Sequence, residues 1–379
     1  MLDRIQATSQ PPASVPLGAS AAYAAAVDGM LDESTRPEER ALALEACTAY
    51  RLDLVEMLHE RGYKIAFKDD MSINTGGLHV ETKKEIHVNR KWARNDHKRV
   101  LIHEMAHGID FQRHRDKTTW LSRALWNPAQ RYDSQTDPAL ERLYQQYQLR
   151  SAVDVAAHAR DEINKFPTAL SRTNYFGRTI ENTRGTNEAG RETITETSRD
   201  DKGGNMRVTI PLVMAALQGA GAVAVGFAAP LLAPLMAAGA GVALWSSWAG
   251  KRELAEERRF DAVSGNVPLA NGTTLKVSSE GETRTVETPP AGHKDEYDWS
   301  DYAARTRKVI EYYAEAVAFY LASPVLREKL QTMDPDMYAY IKAQGLGAQD
   351  AGPGQRASKN PAVAGLRVVP RARIELATP

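Results

Sequence analysis

The chain has 379 residues, 42% of them hydrophobic, enough for one sizeable domain with additional segments. Lysine plus arginine equals aspartate plus glutamate at 48 each, so no global charge draws the chain toward nucleic acid, and a DNA-binding role is disfavoured. Cys47 is the single cysteine, which excludes an intramolecular disulfide framework and a thiolate-rich structural zinc site; a bound metal would have to be held by His and carboxylates.

Residues 1–36 carry Ser, Gln, Pro and Ala without the charged start, apolar core and cleavage site of a secretory signal peptide, so signal-led export is not expected. They read as a disordered polar leader. Such leaders look like those of effectors injected by bacterial secretion machines, and plain disorder explains the composition equally well. Over 37–60, Leu42, Leu44, Leu52, Val55 and Leu58 recur at mostly helical spacing with Gly62 as a stop, which predicts one packing helix. A strand over 63–67 and an alternating run over 78–89, turning at Thr82-Lys83-Lys84, predict a short antiparallel unit. Asn95 or Asp96 can cap the next helix, whose Val100, Leu101, Ile102, Met105, Ala106 and Ile109 bury one broad face. A further helix is expected over 136–166, so that 37–165 forms the first part of the catalytic domain. Residues 166–207, including a polar stretch over 183–205 rich in Gly, Arg, Thr and Glu, read as a flexible linker.

Between Arg207 and Lys251 no residue is charged, and Pro230-Leu-Leu-Ala-Pro234 divides the stretch into two apolar halves of about twenty residues, the length that crosses a bilayer. Gly219, Gly221, Gly226, Gly239 and Gly241 among alanines would let two helices approach closely in lipid. Residues 208–250 are therefore expected to form a membrane hairpin; the alternative is a buried Ala/Gly-rich helical pair. Arg207 before it and Lys251-Arg252 after it place both flanks, and hence the catalytic domain, on a cytoplasmic face. Residues 251–294 read as a small β-rich insertion with a turn at Asn271-Gly272, and 295–345 as the second part of the catalytic domain, with a helix over 302–321. The Gly-, Pro-, Ala- and Arg-rich tail over 346–379 is expected to be disordered.

His103-Glu104-Met105-Ala106-His107 sets two imidazoles one helical turn apart, so both can face one ion while Glu104 faces the water beside it. That pattern points to Zn2+ held by His103 and His107, with Glu104 taking the water proton and delivering it to the leaving amine. His79, His87, His97 and His114 are expected to be surface or strand histidines. A catalytic zinc needs a third protein ligand, and Glu311 and Glu315 stand at i and i+4 on an apolar helical stretch where unpartnered carboxylates would be costly. Glu311 is the expected ligand and Glu315 the residue that orients a histidine ligand through its other ring nitrogen. The swapped assignment, a purely solvated or salt-bridged Glu pair, and Glu162 remain open.

The segment from His103 to Asp110, His-Glu-Met-Ala-His-Gly-Ile-Asp, resembles the metal helix of the anthrax lethal factor catalytic domain and of the bacterial Pro-Pro endopeptidases. Glu311-Tyr-Tyr-Ala-Glu315-Ala is similar to their second metal helix, and the stretch over 333–341 to the helix that closes it. The resemblance covers about residues 40–165 and 295–345 and implies a gluzincin metalloprotease of α+β, zincin-like (thermolysin-like) fold, two His ligands, one Glu ligand and a loop tyrosine that stabilises the oxyanion. The family's tyrosine position, seven residues before the ligand Glu, is Ala304 here, so Tyr302 is chosen, with Tyr297 nearby and Tyr175 as another candidate. The interval from His107 to Glu311 is also far longer than in those proteins and contains the apolar hairpin.

The expected function is a zinc-dependent metalloendopeptidase acting on an extended protein or peptide substrate, as a bacterial toxin or secreted effector or as a membrane-associated enzyme. The competing expectation is a membrane-inserting toxin or structural membrane protein that acts through 208–250 with a vestigial zinc site. An intramembrane protease is disfavoured because Asp96, Lys98, Arg99 and Asp110 surround the motif.

Overall fold

In this computed structural model the described residues are 17–350 apart from 74, 93, 95, 120–130, 167–170, 176–177, 201–212, 218–239, 249–250 and 252–262. Helix α1 (Leu17–Met30) lies within the stretch expected to be a leader, yet its Tyr23, Ala26, Val27 and Met30 are buried. These four follow i, i+3, i+4, i+7 spacing, so the alanine-rich segment has a core-facing stripe that its polar composition concealed. The single helix expected over 37–60 is two, α2 (Pro37–Ala49) and α3 (Leu52–Glu60). Tyr50 and Arg51 between them are extended, because tertiary partners claim their backbone: Arg51 N–H donates to Leu346 O at 2.8 Å and the Tyr23 hydroxyl donates to Tyr50 O at 2.6 Å. Gly62, at φ +79, ends α3 in the left-handed conformation expected of a helix stop.

Strands β1 (Lys64–Lys68), β2 (Gly77–Val80) and β3 (Glu85–Asn89) form a sheet of order β1-β3-β2, with β2 antiparallel and β1 parallel to the central β3. The long helix α4 (His97–Lys117) packs on this sheet and on α2, and residues Val100 to Gln112 are buried on every face. Asp96 precedes it without capping it; its carboxylate accepts from Trp92 Nε1 at 2.5 Å and from Arg99 Nε at 2.8 Å. Behind the helix Cys47 meets Met105, Sγ to Sδ 3.8 Å, in the closed interior.

Helix α5 (Pro138–Lys165), capped by Asp137, serves two cores. Its first half adds Leu140, Tyr144 and Tyr147 to the main core, while Ala152, Val153, Ala156 and Ala159 pack on a second sheet. That sheet joins β4 (Ser171–Tyr175), β5 (Arg178–Thr186), β6 (Glu192–Asp200), β7 (Gly265–Pro268), β8 (Thr274–Glu280) and β9 (Thr283–Glu287), antiparallel throughout in the order β4-β5-β6-β9-β8-β7. The polar stretch expected to be a flexible linker thus supplies two nine-residue strands, and the expected small β insertion is the other half of their sheet. β-Branched threonines and isoleucines favour the extended chain there, and Ile180 and Ile194 turn inward.

The helix expected over 302–321 is also two, α6 (Asp301–Thr306) and α7 (Val309–Ala322), divided at Arg307. Helices α8 (Pro324–Met333) and α9 (Pro335–Gln344) follow, and α7 packs against α4. The expected tail contributes its first residues to the fold: Leu346 is buried, Gly347 pairs with Tyr50, and 351–379 lie outside the described residues. Of the expected membrane hairpin only 213–217 and 240–248 are described, both helical, and its Pro230–Pro234 divide lies outside. Among the described residues no helix is long and apolar enough to cross a membrane.

Candidate metal centre

Helix α4 presents His103 and His107 toward α7, and α7 returns Glu311 and Glu315 from its first two turns, residues separated by more than 200 positions in the chain. The Nε2 atoms of His103 and His107 lie 3.2 Å apart, and Glu311 Oε2 is 3.1 Å from the first and 3.3 Å from the second. All three side chains are buried. A tetrahedral zinc with bonds of about 2.0–2.1 Å keeps its ligand atoms about 3.3 Å apart, so this donor triangle has the size that ion requires. Of the sequence candidates for third donor, Glu311 joins the two histidines in this group and Glu162, exposed on α5, does not. His158, Asp298 and Asp301 make a second possible donor group, with His158 and Asp301 exposed.

Glu315 lies against the ring nitrogen of His103 that faces away from the triangle. Its carboxylate accepts from His103 Nδ1 at 3.1 Å, Arg99 Nη1 at 2.5 Å and Ser300 Oγ at 2.8 Å. Holding a proton on Nδ1 leaves Nε2 facing the triangle. The charges are strongly coupled. Burial opposes ionisation of every group, yet the hydrogen bonds that His103 donates to Glu311 and Glu315 raise it to about 10, while Arg99 and His103 hold Glu315 below the usual carboxylate range. His107 and His103 hold Glu311 well below that range against its own burial. Glu104 goes the other way: burial lifts it, and the two histidines only partly offset this.

The sheet closes the other side. Strand β2 crosses α4 so closely that a Cβ on Gly77 would fall 2.8 Å from Glu104 Oε1, and the His79 backbone N–H donates to the Glu104 carboxylate. No sequence signal singled out Gly77, the first residue of β2. His79, expected to be an ordinary surface or strand histidine, lies in β2 but is buried, its ring stacked 6.3 Å from His107, with Nδ1 3.3 Å from the Tyr132 hydroxyl. Tyr132 in turn donates to Glu81 Oε1 at 2.7 Å and sets its ring 5.8 Å from His107. His114 is likewise buried in α4 rather than exposed. His87 pairs with Glu85 at 2.8 Å and His97 Nε2 meets Asn89 O at 3.0 Å, both away from the triangle.

Tyr302, on α6, donates its hydroxyl to Glu311 Oε2 at 3.0 Å and stands edge-on to His103. Tyr297 instead donates to Pro268 O in the second sheet, and the Tyr175 side chain lies outside the described residues. Ser300, which no sequence signal singled out, caps α6 and fixes Glu315. No protein-family model, no curated protein and no solved structure matches the chain.

Proposed function

We propose that the chain is a zinc-dependent metalloendopeptidase of zincin-like α+β fold, with His103, His107 and Glu311 as metal ligands and Glu104 as general base. The observation that carries this reading is the triangle of two imidazole nitrogens and one carboxylate oxygen, 3.1–3.3 Å on each side, with Glu104 buried beside it. Zinc, when bound, supplies Lewis acidity that activates water and polarises a scissile carbonyl. The protein does the rest. Glu315 fixes the tautomer of His103, and Arg99 and Ser300 fix Glu315. Glu104, lifted by burial, is suited to accept the proton of the attacking water and return it to the leaving amine. The Tyr302 hydroxyl donates to the triangle's carboxylate and would turn from Glu311 to the developing oxyanion.

Among the described residues β2 pairs only with β3, so its outer edge can add an extended substrate chain beside Glu104. The edge next to the site is β2, and β3 is the central strand. The test compares zinc content and cleavage of casein or a cell proteome by the wild type and by Glu104→Gln. A single bound zinc in both proteins, with hydrolysis by the wild type alone, is the expected result. Equal activity or toxicity of Glu104→Gln sinks the reading and favours action through 208–250.

One observation favours a second property of the same molecule, association with a bilayer. Val213, Leu217, Val242, Leu244, Trp245 and Trp248 are exposed in the two described pieces of the uncharged stretch, and tryptophans beside Lys251 suit a lipid interface. Flotation with anionic vesicles, lost on deleting 208–250, is expected; equal flotation of both forms refutes it.

A further inference from the structure

Tyr302 and Glu311 are nine residues apart. In one continuous helix they would be separated by about 13 Å along the axis and point to opposite sides, at about 100° per residue. Their 3.0 Å hydrogen bond therefore needs a corner between them. The chain makes it at one residue: Arg307 adopts φ 52, ψ 41, Lys308 is extended, and α7 begins at Val309. Among the described residues only Arg307 and Lys84 combine a positive φ with a side chain, a conformation that L residues other than glycine disfavour.

Something must hold Arg307 there. Its side chain is buried, 4% exposed, and its guanidinium is paired with Glu196 of β6. Glu196 is buried as well and stands opposite Arg284 in the β6–β9 ladder, with Arg284 Nη2 3.1 Å from Glu196 Oε1. Neither Glu196 nor Arg307 belongs to the donor triangle. Separating two opposite charges that lie together out of water strands a buried charge, so the groups hold each other in place. This one links the six-stranded sheet to the turn between the tyrosine helix and the ligand helix.

We infer that Glu196 and Arg307 are positioning residues: their buried pair fastens Arg307 in the left-handed conformation, and the corner so fixed brings Tyr302 onto Glu311. The role of Tyr302 in hydrolysis rests on the metalloprotease reading, whereas the corner does not. The second sheet thereby acts on the centre from a distance, through one backbone angle. Arg307→Gly should relieve the need for the pair, since glycine occupies that angle without help.

The test is a cycle in the full chain with Glu196→Gln, Arg307→Gly and both together. Each carries 3-fluorotyrosine at position 302 and is followed by fluorine NMR in metal-free protein. Glu196→Gln is expected to move the fluorine resonance toward that of the free amino acid when Arg307 is present and to leave it in place in the Arg307→Gly background. All four proteins should take up a single zinc, and kcat should fall about tenfold or more, with KM little changed, only where the resonance moves. Glu196→Asp, which keeps the charge but shortens the reach, replaces Glu196→Gln if that variant does not fold, with the same expected shift. A resonance that stays put in every variant, or moves equally in both backgrounds, overturns the inference. Because NMR is read without metal or substrate, failure of the protease reading alone would leave this result intact.

Discussion

Replacing Gly77 by alanine tests how tightly strand β2 is set against α4. The added methyl would lie 2.7 Å from both Glu104 Cγ and Val100 Cγ1, and 2.8 Å from Glu104 Oε1. Carbon atoms rest about 3.5–4.0 Å apart, so strand and helix must part, or Glu104 must swing, by about 1 Å. Val100 and Glu104 are both buried in a helix packed on every face, so neither can yield freely. Overpacking of this kind costs about 1–3 kcal/mol of stability. A displacement of about 1 Å in the general base costs about 10²-fold in kcat. The atoms nearest that methyl belong to Glu104 and Val100 and not to His103, His107 or Glu311, so zinc content should not change. The assay is zinc stoichiometry, thermal unfolding and peptide hydrolysis on one preparation. A Gly77→Ala protein with wild-type kcat and unfolding temperature would show that β2 does not press on Glu104 as described.

Four other outcomes can be measured. Glu315→Ala should weaken zinc binding by about 10–100-fold, as loss of an outer partner does, and Glu311→Ala by more; equal losses, or the reverse order, would exchange their roles. His103 in the metal-free protein is raised from 6.5 to about 10, so its charge contributes stability that is fully present below about pH 6.5 and disappears as pH rises toward 10. The unfolding temperature of metal-free protein should fall across that window, and zinc uptake at pH 8 should release about one proton, seen by calorimetry in buffers of different ionisation enthalpy. Tyr302→Phe should lower kcat while KM and zinc content hold, and an unchanged kcat would remove the tyrosine from the reaction. Tyr50→Phe, which deletes a buried 2.6 Å hydrogen bond to Ile102 O, should cost about 1 kcal/mol in denaturant unfolding without changing zinc content.

The parts of the centre that were legible in the sequence are those fixed by local spacing. His103 and His107 share a face because a helix repeats every four residues or so, and Glu311 and Glu315 declared themselves as carboxylates on an otherwise apolar stretch. Partners remote in sequence left no such trace. The break at Tyr50 is set by Leu346 and Tyr23, and the break at Arg307 by Glu196, so periodicity alone ran both pairs of helices together. His79 looked ordinary because its ring packs against Tyr63, His107, Phe111 and Tyr132, all outside β2. Strands β5 and β6 were read as linker because their threonines, glutamates and arginines count as polar; cross-strand pairs such as Glu196 with Arg284 give those residues a place in a sheet.

The solitary thiol behind α4 turns the molecule into its own stopwatch. Burial pushes Cys47 up to about 12, and no oxidant or alkylating reagent can reach sulfur wedged against Met105 while α2 stays seated. Every alkylation event therefore records one opening of the layer beneath α4. Comparing that rate with and without zinc would time how firmly the ion clasps the two halves of the chain together, using no label beyond what the sequence already carries.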